Sequence, residues 1–131
     1  MNLNLTVLNQ LFANLKVSYI SKQKYSTIKS NKGLLKVLRF LKNRGYIISF
    51  FKNKKTNKII IFLKYDNFTP YILRIKVVLK KNKLSYISLY KMIKKLDKSK
   101  NYVLSTKKGL LFLEEAIYHK IGGFILFEIQ T

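Results

Sequence analysis

Ser105-Thr106-Lys107-Lys108-Gly109 puts two hydroxyls, two ammonium groups and a glycine into five consecutive residues. Hydroxyls donate to and accept from phosphates, 2′-hydroxyls and base edges in a shallow RNA groove. The lysines supply charge, and Gly109 lets the backbone approach closely. Gly122-Gly123 is a second place for close approach, and an apolar stretch and a short helix separate it from the loop. Two further basic clusters suit phosphate: Lys52, Lys54, Lys55 and Lys58 in one turn, and Lys80, Lys81 and Lys83 in another. Tyr86 and Tyr90 follow the second cluster, and their rings could stack on unpaired bases. Tyr19, Tyr25, Tyr46, Tyr71 and Tyr118 could do the same, but most strand tyrosines read as core or interface residues. Asn14, Lys16 and Ser18 extend the candidate set to the first helix. Any one of these loops is also what a solvated, charged turn looks like; their number on one chain argues for a polyanion.

The overall charge agrees. The chain carries formal net charge +22 in 131 residues, with five acids: Asp66, Asp97, Glu114, Glu115 and Glu128. Only Arg39, Arg44 and Arg74 among the basic residues are arginine. Lysine binds phosphate as a compact point charge without the bidentate fork, which suits a backbone better than a guanine edge. Abundant Lys, Asn, Ile and Phe is also the residue set of A/T-rich codons, which accounts for lysine replacing arginine but not for the scarcity of Asp. Hydrophobic residues reach 48%, enough for a core and against disorder.

Other chemistries are poorly served. There is no cysteine, and one histidine, His119, cannot build a zinc site alone. The acids are scattered, and Glu114-Glu115 reads as the first turn of a helix, where negative charge is favoured. No phosphate-binding glycine loop or nucleophile elbow occurs. The expectation is therefore no enzyme, no metal, no cofactor and no small-molecule substrate. No apolar run approaches a membrane span, and the start of the chain has no signal peptide or arginine-rich presequence, so no membrane partner is expected.

The elements that must hold these residues follow from periodicity. Leu5, Leu8, Leu11, Phe12 and Leu15 predict a helix over 4–17, capped by Asn4 or Asn2. Residues 19–29 read as a loop leading to a short strand. Ser30 as N-cap, an apolar stripe of Leu34, Leu35, Leu38 and Leu41, and Gly45 as C-terminal glycine predict a second helix. Strands are expected over 46–51, 58–65, 71–79, 84–87, 102–104 and 124–129, with 110–113 a strand or turn. Helices are expected over 89–96, with Leu89, Ile93 and Leu96 inward, and over 114–119. The single proline, Pro70, marks a lobe boundary. The fold class is α+β with two small lobes. Residues 1–67 form a lobe of two helices and a sheet; residues 68–131 form a mostly β lobe with short helices that carries the RNA site.

The C-terminal pattern of Ser-Thr-Lys-Lys-Gly loop, short helix and Gly-Gly turn resembles the signature of the small-subunit ribosomal protein eight family. The likeness extends back through Ser30 to Phe51 and through Leu63-Lys64-Tyr65. It implies that Ser105, Thr106, Lys107, Gly109, Gly122 and Gly123 sit at or support contact with a helical stem in the central domain of small-subunit rRNA. It further implies early binding in subunit assembly and contact with small-subunit proteins five and seventeen. Two departures stand out. Phe124 replaces an acid usual after the Gly-Gly pair, and Lys80 to Ser85 lacks the family's Pro-Gly turn. A/T-rich coding with this resemblance implies an organelle product, mitochondrial in first choice and plastid-type in second. The alternative reading is a non-ribosomal basic organellar RNA-binding protein.

Overall fold

Asn67 and Phe68, at φ 49 and 67, form the turn of a hairpin between strands β4 (Tyr65–Asp66) and β5 (Thr69–Pro70). The stretch expected to separate the lobes is thus itself paired structure. In this computed structural model, which describes residues 5–78, 85–94 and 100–131, the chain divides after that hairpin, into Met1–Ile72 and Leu73–Thr131. Both units combine helices with antiparallel strands, the α+β class expected.

The N-terminal unit begins with α1 (Leu5–Ile20). Leu8, Leu11, Phe12 and Leu15 are buried, as their spacing predicts. The helix runs a turn beyond the expected end because Ser18 and Tyr19 continue the buried stripe. The first four residues, with the proposed caps Asn2 and Asn4, lie outside the described residues. Strand β1 (Tyr25–Lys29) follows, then α2 (Lys32–Asn43). Asn31, not Ser30, caps α2: its Oδ1 accepts from the Gly33 N–H at 2.9 Å. The buried stripe is Leu34, Val37, Leu38 and Leu41, with Leu35 only half-buried, because the i, i+3, i+4, i+7 set selects Val37. Gly45 ends the helix at φ 79. The Gly45 N–H donates to the Lys42 carbonyl (3.1 Å) and the Tyr46 N–H to that of Leu41 (2.9 Å), the paired closure in which glycine avoids a Cβ clash.

Strands β2 (Ser49–Asn53) and β3 (Lys58–Phe62) complete an antiparallel sheet ordered β1-β3-β2. Both are shorter than expected: β2 starts at Ser49 because Tyr46 belongs to the helix closure. Ile28, Ile59 and Ile61 are buried on one face, and α1 packs on β1 and α2 on β2. Lys64 is spent on this architecture. Its Nζ donates to the Gly45 carbonyl (2.9 Å) and lies 4.2 Å from the Tyr71 ring centroid, so it binds the C-terminal end of α2 to the segment after β5.

The C-terminal unit is organised by its last strand. It contains β6 (Arg74–Val77), β7 (Ser85–Ile87), α3 (Leu89–Lys94), β8 (Asn101–Thr106), β9 (Gly109–Phe112), α4 (Leu113–Tyr118) and β10 (Gly123–Gln130). β10 pairs with β6 through Phe127–Gln130 and with β7 through Gly123–Ile125. β8 pairs with β10 as well, with a register shift between Ile125 and Phe127, and then with β9. Ile87, Leu104, Leu113 and Ala116 form a buried cluster beneath Tyr102, Ile117 and Ile125. Ile93, expected inward, is exposed on α3. Leu96 lies outside the described residues. Glu128 on β10 is 6% exposed, with Lys76 Nζ at 3.4 Å and Lys100 Nζ at 3.8 Å, so it neutralises two lysines from within the sheet.

Candidate nucleic-acid interface

β8 and β9 form a hairpin whose turn is Lys107-Lys108. Thr106 pairs with Gly109 and Ser105 with Leu110. Gly109 sits at φ 100, a conformation that L side chains rarely adopt. The Thr106 hydroxyl closes the turn from inside: it donates to the Gly109 carbonyl (2.8 Å) and accepts from the Lys108 N–H (3.2 Å). Its one proton is therefore committed within the loop. The Ser105 side chain makes no hydrogen bond among the described residues. The two hydroxyls, equivalent in sequence, differ in role: Thr106 shapes the bend and Ser105 is available to a partner.

The Gly-Gly pair is what permits the neighbouring strands to close around this bend. A β-carbon on Gly123 would stand 2.5 Å from the Ser105 carbonyl oxygen and 2.8 Å from Thr106 Cγ2. One on Gly122 would stand 2.6 Å from the Tyr86 hydroxyl and 2.8 Å from the Ile87 carbonyl oxygen. Both positions need glycine for space rather than for dihedral freedom. Next in the chain, Phe124 pairs with Ser105 on one side and Tyr86 on the other. The Tyr86 and Phe124 rings meet edge to face at 5.3 Å, and they are 60% and 46% exposed. The ring at 124 is thus a surface group beside the Ser105 bend, which the sequence flagged only as a departure.

Charge around the bend is positive. Lys107 and Lys108 are exposed, and Lys108 Nζ lies 3.5 Å from His119 Nδ1. His119 caps the end of α4 and meets Tyr118 edge to face. The acids of this unit are mostly occupied: Glu115 Oε1 accepts from the Phe112 N–H (3.2 Å) at the start of α4, and Glu128 holds its lysines. Glu114 is the exposed acid among the described residues of this unit. No group of three or more metal-ligating side chains occurs among the described residues.

The structure therefore brings together Ser105, Thr106, Lys107, Lys108, Gly109, Gly122, Gly123 and Tyr86. Lys54 and Lys55 are exposed on the β2–β3 turn of the other unit, where Asn53 Oδ1 accepts from the Lys55 N–H (3.0 Å). Lys80, Lys81 and Lys83 lie outside the described residues. Ser18 is buried and Asn14 Nδ2 donates to the Thr27 carbonyl (3.4 Å), so of the three first-helix candidates only Lys16 is exposed. Tyr90 is exposed, with Lys94 Nζ 4.5 Å from its ring centroid.

Known proteins resemble this chain along almost its whole length. A sequence model of the family described as Ribosomal protein S8 matches residues 7–130. The chain is 32% identical over 128 residues to "Small ribosomal subunit protein uS8m" of Acanthamoeba castellanii, covering 96% of this chain and 100% of that protein. It is 33% identical to "Small ribosomal subunit protein uS8" of Ehrlichia ruminantium, covering 82% and 83% of the two chains. The protein of the same description from Malacoplasma penetrans is 27% identical, over 91% and 93%.

Proposed function

Since this chain belongs to the ribosomal protein S8 family, we propose that it is a structural constituent of a small ribosomal subunit, and that the β8–β9 bend with the Gly122-Gly123 turn is its contact with a stem of small-subunit rRNA. The observation that carries the reading is the fit of Gly123 against the Ser105 carbonyl. It fixes Ser105, the hydroxyl of the bend that makes no hydrogen bond among the described residues, beside a pair of exposed lysines and an exposed ring pair. Such an arrangement reads shape and 2′-hydroxyls in a shallow minor groove, while the lysines anchor phosphates. The chemistry is binding, with no catalytic step.

Lys107 and Lys108 give the local electrostatic hold. Lys54, Lys55, Lys80, Lys81 and Lys83 add sequence-independent phosphate contacts. The subunit is that of a mitochondrial ribosome: a mitochondrial relative covers nearly the whole chain, and the lysine-for-arginine, A/T-rich composition suits an organelle gene. Small-subunit proteins five and seventeen are the neighbours that the family resemblance suggests.

Crosslinking the protein in cells, and sequencing the attached RNA, tests this reading. The expected product is one stem of the central domain of small-subunit rRNA, with the protein co-sedimenting with small subunits. Crosslinks spread over other organellar transcripts, with no protein in the subunit fraction, would replace it by a non-ribosomal RNA-binding role.

A further inference from the structure

The outer face of the N-terminal sheet has a composition that neither the fold nor the C-terminal bend explains. Directly opposed residues on antiparallel strands share a face. Tyr25 opposes Phe62 across β1 and β3, Thr27 opposes Ile60, and Lys29 opposes Lys58. On the other side of β3, Phe51 opposes Ile60 and Asn53 opposes Lys58. The face away from Ile28, Ile59 and Ile61 thus carries two rows with aromatic rings and one row of lysines. Successive rows are about 7 Å apart along the strands. Tyr25, Phe51 and Phe62 are 54%, 59% and 41% exposed. A sheet face normally buries such rings or replaces them with polar residues.

The lysine row identifies the occupant. Lys29 and Lys58 are like charges set directly opposite each other, a destabilising pair unless an anion lies between them. Neither forms an ion pair among the described residues, and Asp66 is the only acid in residues 1–72. Lys54 and Lys55 stand exposed on the adjoining turn. An anionic partner that also covers planar rings is a nucleic acid strand with its bases unpaired. Stacking on a sheet of exposed rings is a general way to hold such a strand, because every base has a π face.

We propose that the outer face of the β1-β3-β2 sheet is a platform for single-stranded RNA. The rings of Tyr25, Phe51 and Phe62 stack bases, and the Lys29–Lys58 pair takes a phosphate. This site is independent of the Ser105 bend and does not rest on it.

The test uses the full chain, a short labelled single-stranded oligouridylate, and fluorescence anisotropy at low salt. Two triple variants replace Tyr25, Phe51 and Phe62, one with leucine and one with serine; the leucine set retains apolar surface and strand pairing if the serine set does not fold. The expected result is a loss of oligouridylate affinity of about tenfold or more in the leucine variant, since each stacked base is worth that order. Its affinity for the cognate rRNA stem stays within about twofold of the parent, whereas Ser105→Ala shows the opposite pattern. Full retention of oligouridylate affinity in the leucine variant overturns the proposal. So does ring-dependent binding of polyglutamate that displaces the RNA, which would make the face a dock for an acidic protein.

Discussion

Gly123 lies against the Ser105 carbonyl so closely that a β-carbon there would stand 2.5 Å from the oxygen. The obstacle is backbone, and it belongs to the strand paired with β10, so no side-chain rotation relieves it. Gly123→Ala must push β8 and β10 apart at the base of the bend. The expected cost is about 1–3 kcal/mol, as for other overpacked sites. A drop of several degrees in melting temperature, together with weaker binding of the rRNA stem, checks this. An alanine variant as stable as the parent would show that the strands part freely here.

Ser105 and Thr106 separate under mutation. Thr106→Val removes the hydroxyl that ties Gly109 to Lys108, and is expected to cost about 1 kcal/mol of stability. Ser105→Ala leaves that closure intact and changes stability by less than about 0.5 kcal/mol. Its effect is on RNA: a several-fold loss of stem affinity with an unchanged salt slope, because no phosphate contact is removed. Thermal unfolding and salt-dependent binding of both variants distinguish the two roles. Equal loss on random RNA for Ser105→Ala would remove it as a specificity element.

Much of this was legible in residue order. Stripes of period 3.6 placed the first two helices, the first ending at 17 where the structure carries it to Ile20, and a hydroxyl-lysine-glycine run between two short apolar segments placed the bend. What was not legible depends on neighbours remote in the chain. Nothing local to Ser105-Thr106 tells which hydroxyl turns inward; Gly109 and the Lys108 N–H decide it. Lys64 reads only as part of a Leu-Lys-Tyr strand end until Gly45 and Tyr71 are seen to enclose its ammonium. Phe124 reads as a lost acid until Tyr86 is seen beside it. Asn31 and Ser30 are both good caps, and only the register of α2 selects between them.

Tyr19 gives a pH signature. Burial pushes its phenol up to about 12 from the ordinary 10.0. Below pH 10 the phenol is neutral folded and unfolded, and the contribution to stability is full. Between 10 and 12 the unfolded chain releases the proton while the folded chain holds it, so stability falls as pH rises. The measurement is the difference between the parent and Tyr19→Phe, which isolates this phenol from the rest of the chain. The parent should lose more melting temperature than the variant between about pH 9.5 and pH 11.5. The phenol oxygen is buried with no well-formed hydrogen bond among the described residues, and the Lys64 backbone only partly offsets the burial, so Tyr19→Phe should cost little near neutral pH. Parallel melting curves across that range would refute the assignment.

Glu128 tests how the chain manages its own repulsion. It is buried on β10 between Lys76 and Lys100, in a protein of net charge +22. The lysines are partly exposed, so solvent screens the pair and its worth is modest. Glu128→Gln nevertheless raises the net charge and leaves two ammonium groups facing each other across a neutral amide. The expected loss is about 1 kcal/mol at low ionic strength, shrinking as salt screens the repulsion. Bound RNA acts in the same direction as salt, since a polyanion that binds only the folded chain stabilises it by mass action. The melting temperature of Glu128→Gln should therefore rise more steeply than the parent's with both added salt and cognate rRNA stem. If the deficit persists unchanged in high salt, the carboxylate contributes through packing and not by offsetting the lysines.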